Sequence, residues 1–228
     1  MDPIIIIGSS GHAKVVIDII ERESRYRIAG LLDRFRQVGE ETLGYRVLGR
    51  EEDLPELAAA HCLQGVVVAI GDNFVRGKVA ADLLKFCPGL APVSAVHPRA
   101  SIGRDVTIGG GSVIMAGVSV SPSCSIGRFC ILNTNSSLDH DSVMEEFASL
   151  GPRVATGGGC TIGQYAAVNL GSVLSHRVRV GEHTVIGAGS IVLRDVDPYC
   201  VAYGTPAVQV RGRRAGDPYL RDRGRGDS

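Results

Sequence analysis

The residues best suited to chemistry form one short run, Asp139-His140-Asp141. An imidazole that is neutral near pH 7 can take a proton from an amine or hydroxyl as that group acts as a nucleophile. A neighbouring carboxylate can hold the other ring nitrogen and fix the tautomer; we favour Asp141 for this, with Asp139 second. A histidine in a surface turn with no chemical role is the alternative. The run predicts a general base at His140.

A second candidate is the turn Gly8-Ser9-Ser10-Gly11, which separates an apolar run from a segment with helical spacing. A strand–turn–helix junction points free backbone N–H groups at an anion, with the helix dipole behind them. Such turns also occur where nothing binds. The third glycine of the dinucleotide fingerprint is replaced by Ala13 or Lys14, and a P-loop GK[ST] is absent. The turn is therefore a candidate pyrophosphate site without a dinucleotide fingerprint, and the residues alone leave a turn that binds nothing as the alternative.

Three polar side chains follow apolar runs of the same half: Asp33, Asp72 and Asn73. Asp33 is placed to accept hydrogen bonds from a base or ribose, because ligands of parallel sheets bind beyond the carboxyl ends of the strands. A solvated aspartate at a strand end is the alternative. Asp72 and Asn73 either complete the same pocket or cap the next helix, and the sequence leaves both open.

The elements that carry these residues differ between two halves of the chain. Residues 1–92 alternate apolar strand-like runs with segments of helical spacing. The predicted strands are Pro3–Ile7, Ala29–Leu32 and Gly65–Ile70, and the predicted helices are His12–Arg22, Glu51–Ala60 and Asn73–Phe86. This alternation predicts an α/β, Rossmann-like βαβ domain with a small parallel sheet.

From Val96 onward a period of six replaces that alternation. Sixteen of the seventeen residues at steps of six are large aliphatics: Val96, Ile102, Ile108, Ile114, Val120, Ile126, Leu132, Leu138, Met144, Leu150, Ile162, Val168, Leu174, Val180, Ile186 and Val192, with Thr156 as the exception. The residue four places later is small or β-branched in every hexad, from Ala100 to Val196. Three hexads make one triangular coil of eighteen residues with the aliphatics inside.

The hexads predict a parallel β-helix over residues 93–210. Glycine often follows the inward aliphatic, and we expect it there because it permits unusual turn dihedrals. Residues 211–228 are rich in Arg, Gly and Asp, which predicts a flexible tail.

Composition excludes several classes of protein. Lys plus Arg and Asp plus Glu number 24 each, so no net field attracts nucleic acid or an anionic membrane. The longest apolar runs are too short to span a bilayer. The first residues do not resemble a signal peptide, which favours a cytoplasmic location.

The cysteines and histidines do not have metal-site spacing. The six cysteines contain no CxxC pair, and Cys124, Cys130 and Cys160 fall at the small position of the repeat, so we interpret the cysteines as reduced small fillers. His140 and His176 are two coils apart, roughly 10 Å by strand spacing, too far to share one zinc within a chain. We expect no metal.

With these motifs in this order, the chain resembles the sialic acid O-acetyltransferase family, which includes bacillosamine and perosamine N-acetyltransferases. The motifs are Ile5 to Lys14, Gly30 to Asp33, Val68 to Asn73 with Arg76, His97-Pro98, Asp139 to Asp141, Ile186 to Gly189 and Gly204 to Ala207. The resemblance extends to about Arg211. It implies a left-handed coil, acetyl-CoA as co-substrate, a nucleotide-linked amino sugar acetylated at a 4-amino group, and a homotrimer.

The resemblance also assigns roles to individual residues. It implies that His140 is the general base with a neighbouring carboxylate and that Asn133 lies near the site. The family's second histidine, nine residues after the first, helps to hold the thioester carbonyl; it is Ser149 here, a departure that bears on the pose of the acetyl donor. Acetyl-CoA is expected in a groove between subunits, beside Gly158, Leu170, Gly187 and Ala188. The nucleotide sugar is expected at Gly8, Ser9, Ser10, Gly11, His12, Asp33, Asp72 and Asn73.

Three other functions stay open. One is an O-acetyltransferase acting on sialic acid or another sugar. Another is a non-catalytic trimer that binds a nucleotide sugar, with a site decayed at Ser149. The third is a metal enzyme like the gamma-class carbonic anhydrases, which have the same fold but use three histidines; their HxxxxH pair is absent here.

Overall fold

The computed structural model describes residues 1–220; residues 221–228 lie outside the described part of the chain. The N-terminal domain is built from β1 (Asp2–Ile7), α1 (Gly11–Glu23), β2 (Tyr26–Leu32), β3 (Glu41–Thr42), β4 (Tyr45–Gly49), α2 (Leu54–Ala60), β5 (Gly65–Val68), α3 (Asn73–Phe86) and β6 (Ala91–Pro92). A short 3-10 turn, Glu51–Asp53, precedes α2. The predicted βαβ alternation is confirmed.

The sheet of this domain has the order β3-β4-β2-β1-β5-β6 and is parallel except for the β3–β4 hairpin. Its centre is β1, whose residues Ile4 to Ile7 are at most 1% exposed. Because strands buried on both faces read as continuous apolar runs, this run was recognisable in the sequence. The carboxyl ends of β1, β2 and β5 lie side by side at one edge of the sheet.

The second domain is the predicted left-handed parallel β-helix. Between residues 95 and 192 of the described chain, seventeen two-residue strands follow one another at the six-residue period. They are β7 (Ala95–Val96), β8 (Ser101–Ile102), β9 (Thr107–Ile108), β10 (Val113–Ile114), β11 (Ser119–Val120), β12 (Ser125–Ile126), β13 (Ile131–Leu132), β14 (Ser137–Leu138), β15 (Val143–Met144), β16 (Ser149–Leu150), β17 (Ala155–Thr156), β18 (Thr161–Ile162), β19 (Ala167–Val168), β20 (Val173–Leu174), β21 (Arg179–Val180), β22 (Val185–Ile186) and β23 (Ile191–Val192).

The strands pair in parallel at a register of eighteen residues, for example Val113 with Ile131 and Ile131 with Ser149. They form three sheets, one for each side of a triangular prism. The second residue of each strand is the inward one, and Leu132, Leu138 and Leu150 have no exposed surface. The coil of eighteen predicted from the hexads is therefore confirmed.

The reason given for glycine after the inward aliphatic is wrong. The left-handed backbone conformation falls two residues later, at positions such as Asp105, Ser123 and Asn135, whose φ values are 58°, 61° and 58°. At individual coils glycine fits after the aliphatic because the neighbouring coil approaches closely there, although other coils carry residues such as Asn133 and Glu145 at this position. A Cβ built at Gly127 or Gly163 would lie 2.7 Å from a backbone nitrogen of the next coil.

Among the described residues all six cysteines are free thiols. Cys124, Cys130 and Cys160 occupy the small corner position as predicted, and each donates a hydrogen bond of 3.1 Å to a backbone carbonyl of the next coil. Cys62 is exposed at the end of α2 and is not a filler. None of the helices among residues 1–220 is long and apolar enough to cross a membrane.

The chain beyond the coils departs from the predicted flexible tail over residues 211–220. A hairpin of β24 (Cys200–Gly204) and β25 (Ala207–Gly212) extends one face of the prism. Beyond β25, the Arg213 backbone N–H donates to the Tyr199 carbonyl at 2.8 Å, and its guanidinium donates to the His183 carbonyl at 2.8 Å. The rest of the predicted tail, residues 221–228, lies outside the described residues.

A buried arginine joins the two domains. Arg76 of α3 has no exposed surface. Its guanidinium donates to the carbonyls of Phe129 and Phe147 on the β-helix at 2.8 and 2.9 Å, and to those of Ile70 and Gly71 at 2.9 and 3.0 Å. A fifth bond, of 2.8 Å, goes to the Asn73 amide oxygen. Burial lowers the pKa of Arg76 from its ordinary value.

A column of rings runs down the β-helix beside this arginine. Ring centroids along the column are 4.7 to 5.3 Å apart, and its members are Phe129, Phe147, Tyr165, His183 and Tyr199. We call it the aromatic ladder. Helix α3 packs on it through Phe74, and Gly77 lets the Tyr165 ring approach, since a Cβ there would lie 2.5 Å from that ring. Burial in this stack lowers the pKa of His183.

Replacing Arg76 should destabilise the junction between the two domains. Arg76→Met leaves the carbonyls of Phe129 and Phe147 without their donor in a buried junction, which we expect to lower the free energy of unfolding by about 3–5 kcal/mol. The measurement is urea unfolding followed by circular dichroism. The matched control is Arg22→Met, whose side chain is exposed in an ion pair with Asp18 and should change stability far less. Equal losses in both variants would contradict this role for Arg76.

Candidate functional site

The carboxyl edge of the N-terminal sheet forms an open cleft of about 320 Å³. Its lining includes Gly8, Ser9, Ser10 and Asp33, which the sequence had grouped as one binding site. Gly8 has a φ of +106°, and a Cβ there would lie 2.7 Å from the Ala69 carbonyl oxygen. The tight turn between β1 and α1 therefore requires glycine at this position.

The N-terminus of α1 opens beside this cleft. Its N-cap residue, Ser10, makes no side-chain cap hydrogen bond, and the first turn carries no acidic residue. The first N–H groups of an α-helix have no partner within the helix, so they stay available to an anion. Gly11, the first residue of α1, is exposed and has open space around its Cα.

Asp33 is held rather than free. One carboxylate oxygen accepts hydrogen bonds from the Ser9 N–H at 3.0 Å and the Ser9 hydroxyl at 2.5 Å, and the other accepts from the Phe35 N–H at 2.8 Å. A carboxylate has about four acceptor positions, so one remains for a ligand in the cleft. Asp33 thus fixes the turn and also lines the site.

Sequence reasoning missed several residues of the cleft. Arg34 and Phe35 follow Asp33 directly, and Glu51 accepts a hydrogen bond from Arg34 at 3.2 Å. The Phe35 side chain is 91% exposed, which is unusual for an apolar ring and suits stacking on a planar group. The signal was available, because an aromatic residue two places after a strand-end aspartate lies at the same edge of the sheet.

Asp72 and Asn73 do not line the cleft. The Asp72 carboxylate accepts hydrogen bonds from the N–H groups of Phe74 and Val75, both at 3.0 Å, so the helix-cap alternative is the one found. Asn73 is buried and donates to the Ala166 carbonyl at 2.9 Å. Both side chains position α3 instead of completing the pocket.

A second, smaller cavity of about 190 Å³ lies between the N-terminal domain and the β-helix. Its polar lining includes His12, Asn133, Ser149, Asn169 and Tyr219. We call it the inner cavity. Gly71 lines both the cleft and the inner cavity, so the two are neighbours along one path.

His12, which we expect among the nucleotide-sugar-binding residues, lines the inner cavity and not the cleft. Its Nε2 is shielded from solvent and has no hydrogen-bond partner among the described residues. Burial and the nearby Arg76 charge lower the pKa of His12 to about 4, so the ring is neutral at physiological pH. A buried polar atom without a partner is rare, which marks this ring as a group that awaits a ligand.

His140 is exposed on a corner of the prism. Its Nδ1 lies 2.7 Å from a carboxylate oxygen of Asp141. Asp139 instead accepts a hydrogen bond from the His140 backbone N–H at 2.8 Å. The structure therefore pairs the ring with Asp141, the favoured carboxylate. This hydrogen bond, with the charge of Asp139, raises the pKa of His140 above its ordinary value.

The His140 ring lies over Gly158 of the next coil, as the eighteen-residue spacing requires. A Cβ at Gly158 would lie 2.4 Å from His140 Nε2, so a side chain there would displace the ring from its present position. The Gly158 N–H donates to His176 Nδ1 at 3.0 Å and is therefore not free for a cofactor, contrary to expectation. Gly158 shapes the corner instead.

The other predicted cofactor positions differ in what they offer. The Gly187 N–H donates to the Ala202 carbonyl at 2.8 Å and is engaged in the coil ladder. The N–H groups of Leu170 and Ala188, one coil apart on a corner, donate to no acceptor within residues 1–220. Leu170 is also exposed. These two backbone groups remain as donors for an extended amide-containing ligand.

One chain groups Asp139, His140 and Asp141 at one corner but places Asn133 and Ser149 at a different cavity. Asn133 follows β13 and Ser149 begins β16, both on the eight-stranded sheet that faces the N-terminal domain. His140 follows β14 of another sheet and does not line the inner cavity. Among residues 1–220, no three His, Cys, Asp or Glu side chains are grouped as metal ligands would be.

Comparison with known proteins agrees with this geometry. The PglD N-terminal domain family matches residues 3–83. UDP-N-acetylbacillosamine N-acetyltransferase of Bacillus subtilis is 31% identical over 120 residues, 51% of this chain and 52% of that protein, so the chain spans about half the length of that curated relative.

Two solved structures have the same fold over nearly their whole length. PerB from Caulobacter crescentus, in complex with CoA and GDP-perosamine, has a TM-score of 0.86 and 34% identity, covering 92% of this chain and 98% of that chain. The acetyltransferase domain of PglB from Neisseria gonorrhoeae, in complex with acetyl coenzyme A, has a TM-score of 0.83 and 25% identity, covering 91% and 98%.

Removing the carboxylate beside His140 should lower the pKa of the ring. Asp141→Asn takes away the charged hydrogen-bond partner that favours the imidazolium form, so the proton is lost at a lower pH. NMR titration of the histidine ring protons measures this. The control is Asp105→Asn, which changes the same residue type at the same left-handed position of another coil. An unchanged His140 titration in Asp141→Asn would contradict the pairing.

Proposed function

Because the chain belongs to the family of sialic acid O-acetyltransferases and bacillosamine and perosamine N-acetyltransferases, we propose that it uses acetyl-CoA to N-acetylate a nucleotide-linked amino sugar, with His140 as general base. The observation that carries the proposal is the exposed His140 ring held at 2.7 Å by Asp141. Relatives of this fold bind CoA and GDP-perosamine, which supports the two substrate classes.

The nucleotide half of the substrate would occupy the cleft of the N-terminal domain. The pyrophosphate would accept hydrogen bonds from the uncapped N–H groups of α1, next to Gly8 and Ser10. The base would stack on the exposed Phe35 ring, and the ribose would reach the remaining acceptor position of Asp33. These contacts bind and orient the carrier but do not touch the reacting bonds.

The sugar would pass over Gly71 into the inner cavity. Gly71 has open space around its Cα apart from the Leu220 side chain, 3.6 Å from where a Cβ would lie. Beyond it, the neutral His12 and the amide of Asn133 offer hydrogen bonds to hydroxyl or amine groups. We place the amino group to be acetylated, a 4-amino group, at the far end of this path.

The reaction needs a base at the attacking nitrogen. As the amine attacks the thioester carbonyl and the C–N bond forms, His140 Nε2 takes the amine proton, and Asp141 stabilises the imidazolium that results. When the C–S bond breaks, the same proton passes to the leaving CoA sulfur. The raised pKa of His140 suits the first step, since a more basic ring takes the amine proton more readily than a free histidine.

Acetyl-CoA would lie along the corner that carries Leu170 and Ala188. Their two unpaired N–H groups are one coil apart, about 5 Å by strand spacing, which matches successive amides of an extended pantetheine arm. On binding of acetyl-CoA, the Ser149 hydroxyl would turn from its hydrogen bond with Tyr219 to the thioester carbonyl. Free thiols in the chain suit a reducing cytoplasm, where acetyl-CoA is used.

The site would be completed by a second copy of the chain. His140 lies on a corner of the prism, whereas Asn133 and Ser149 lie at the face that forms the inner cavity. Six residues of extended chain, about 20 Å at most, separate one corner from the next. Three prisms packed side by side bring the His140 corner of one chain to the inner cavity of its neighbour. We therefore propose a homotrimer with three shared sites.

Replacing the proposed base tests the chemistry. His140→Ala should lower turnover about 10²- to 10⁴-fold while acetyl-CoA binding is kept, because only proton transfer is removed. Thiol release is followed with UDP-, GDP- and dTDP-linked 4-amino sugars, with CMP-sialic acid and sialic acid as O-acetylation acceptors. His61→Ala, an exposed histidine at the end of α2, is the control. Full activity of His140→Ala, or turnover of the sialic acids alone, would overturn the proposal.

Mixing inactive chains tests whether sites are shared. One partner carries His140→Ala, and the other carries Asn133→Ala with Ser149→Ala, both at the inner cavity. After unfolding and refolding at a 1:1 ratio, each site takes its His140 part from one chain and its Asn133 and Ser149 part from the next. Each part is intact in half of the cases, so about one site in four is fully intact. We expect about a quarter of wild-type activity. His140→Ala mixed with Asp141→Ala is the control and should stay inactive, and no recovery in the first mixture would refute the shared site.

A further inference from the structure

We propose that Tyr219, from the segment after β25, is a sugar-contacting residue whose hydroxyl donates a hydrogen bond to the substrate in the inner cavity. This inference rests on the proposed function and adds one residue to it. The segment Arg213 to Leu220, which we call the C-terminal strap, forms part of the wall of that cavity. The composition of the strap gave no reason to expect a binding residue.

The strap is held by contacts along its length. Arg213 donates from its backbone to Tyr199 and from its guanidinium to His183, both in the aromatic ladder. The same guanidinium donates to the Asp217 carbonyl and lies 5.6 Å from the centroid of the Tyr219 ring. Further along, Gly216 packs against Phe74 of α3, where a Cβ would lie 2.7 Å from that ring. The ring of Tyr219 is thus delivered to the cavity by a built segment.

The Tyr219 hydroxyl is arranged as a donor toward the cavity. It accepts a hydrogen bond from the Asn73 N–H at 3.2 Å, which uses one lone pair and leaves its proton to be directed elsewhere. Burial raises the pKa of Tyr219 above its ordinary value, so the hydroxyl keeps its proton at neutral pH. The Ser149 hydroxyl donates a second hydrogen bond to the Tyr219 oxygen, which leaves the phenol proton for another acceptor. The protonated Tyr219 phenol and the Ser149 hydroxyl thus both line the inner cavity.

The strap lines the cavity without filling it. With Tyr219 and Leu220 in place, the inner cavity still has about 190 Å³, many times the room that one water needs. On another wall, His12 Nε2 has no partner among the described residues. A ligand with hydroxyl or amine groups would satisfy both His12 and Tyr219, which is the chemistry of an amino sugar and not of an acyl chain.

The Tyr219 hydroxyl should therefore affect binding of the nucleotide amino sugar but not of the bare nucleoside diphosphate. Tyr219→Phe keeps the ring and removes the donor, and loss of one hydrogen bond should raise KM and Kd for the nucleotide amino sugar about 5- to 10-fold. The Kd of the bare nucleoside diphosphate should not change, because that ligand occupies the cleft and not the inner cavity. The control is Tyr26→Phe, at the start of β2 and remote from both cavities. Calorimetry with each ligand gives Kd, and thiol release gives KM and kcat.

A second variant tests whether the C-terminal strap contacts the sugar or blocks the inner cavity. A chain ending at Gly212 lacks the strap; if Tyr219 contacts the sugar, this chain loses at least as much affinity for the nucleotide amino sugar as Tyr219→Phe. Tighter sugar binding by the shortened chain would show that the strap blocks the cavity and would overturn the inference. Equal Kd values for wild type and Tyr219→Phe would also overturn it while the proposed function stands. A wild-type chain that binds and acetylates no nucleotide amino sugar would instead remove the proposed function itself.

Discussion

The buried guanidinium of Arg76 fixes the position of the N-terminal domain on the β-helix. Arg76 donates to four backbone carbonyls, two on the β-helix and two at the end of the N-terminal sheet, and to the Asn73 side chain. Because Gly71 is one of these acceptors and lines both the cleft and the inner cavity, the same contact fixes where one cavity meets the other. A buried charge satisfied only in this arrangement penalises any other docking of the two domains.

The chemistry is divided between parts of the fold that have different tasks. The N-terminal sheet offers a carrier-binding edge whose turn is fixed by Ser9 and Asp33. The β-helix offers repeated corners, and one of them holds His140 against Asp141. Within a single chain the proposed base, His140, does not line the inner cavity. Association of chains therefore enters the proposed reaction as a structural requirement, which is why an exposed histidine on an otherwise regular prism is informative.

The fold was predictable because each hexad position has one environment, so Leu138 or Ile162 must be apolar and Cys160 must be small. The His140–Asp141 pair was predictable for the same reason, since the inward position at Leu138 places both residues in a turn. Contacts between distant segments were not predictable. Asp72 as a cap, His12 in the inner cavity and Tyr219 from a tail of polar composition all depend on how the two domains dock. The ladder rings do recur every eighteen residues up to His183, a signal present in the sequence but not used.

The number of eighteen-residue coils also sets the distance between the two anchor points of the C-terminal strap. The strap is tied to the last rungs of the aromatic ladder through Arg213, while its other end reaches Asn73 on α3, which is fixed to earlier coils. Adding one coil between those anchor points would preserve every inward aliphatic and every corner, yet it would lift the strap by about 4.8 Å. A chain with one coil more or fewer would thus keep the prism, but its C-terminal strap would no longer reach the inner cavity. The number of coils is therefore itself a property on which selection can act.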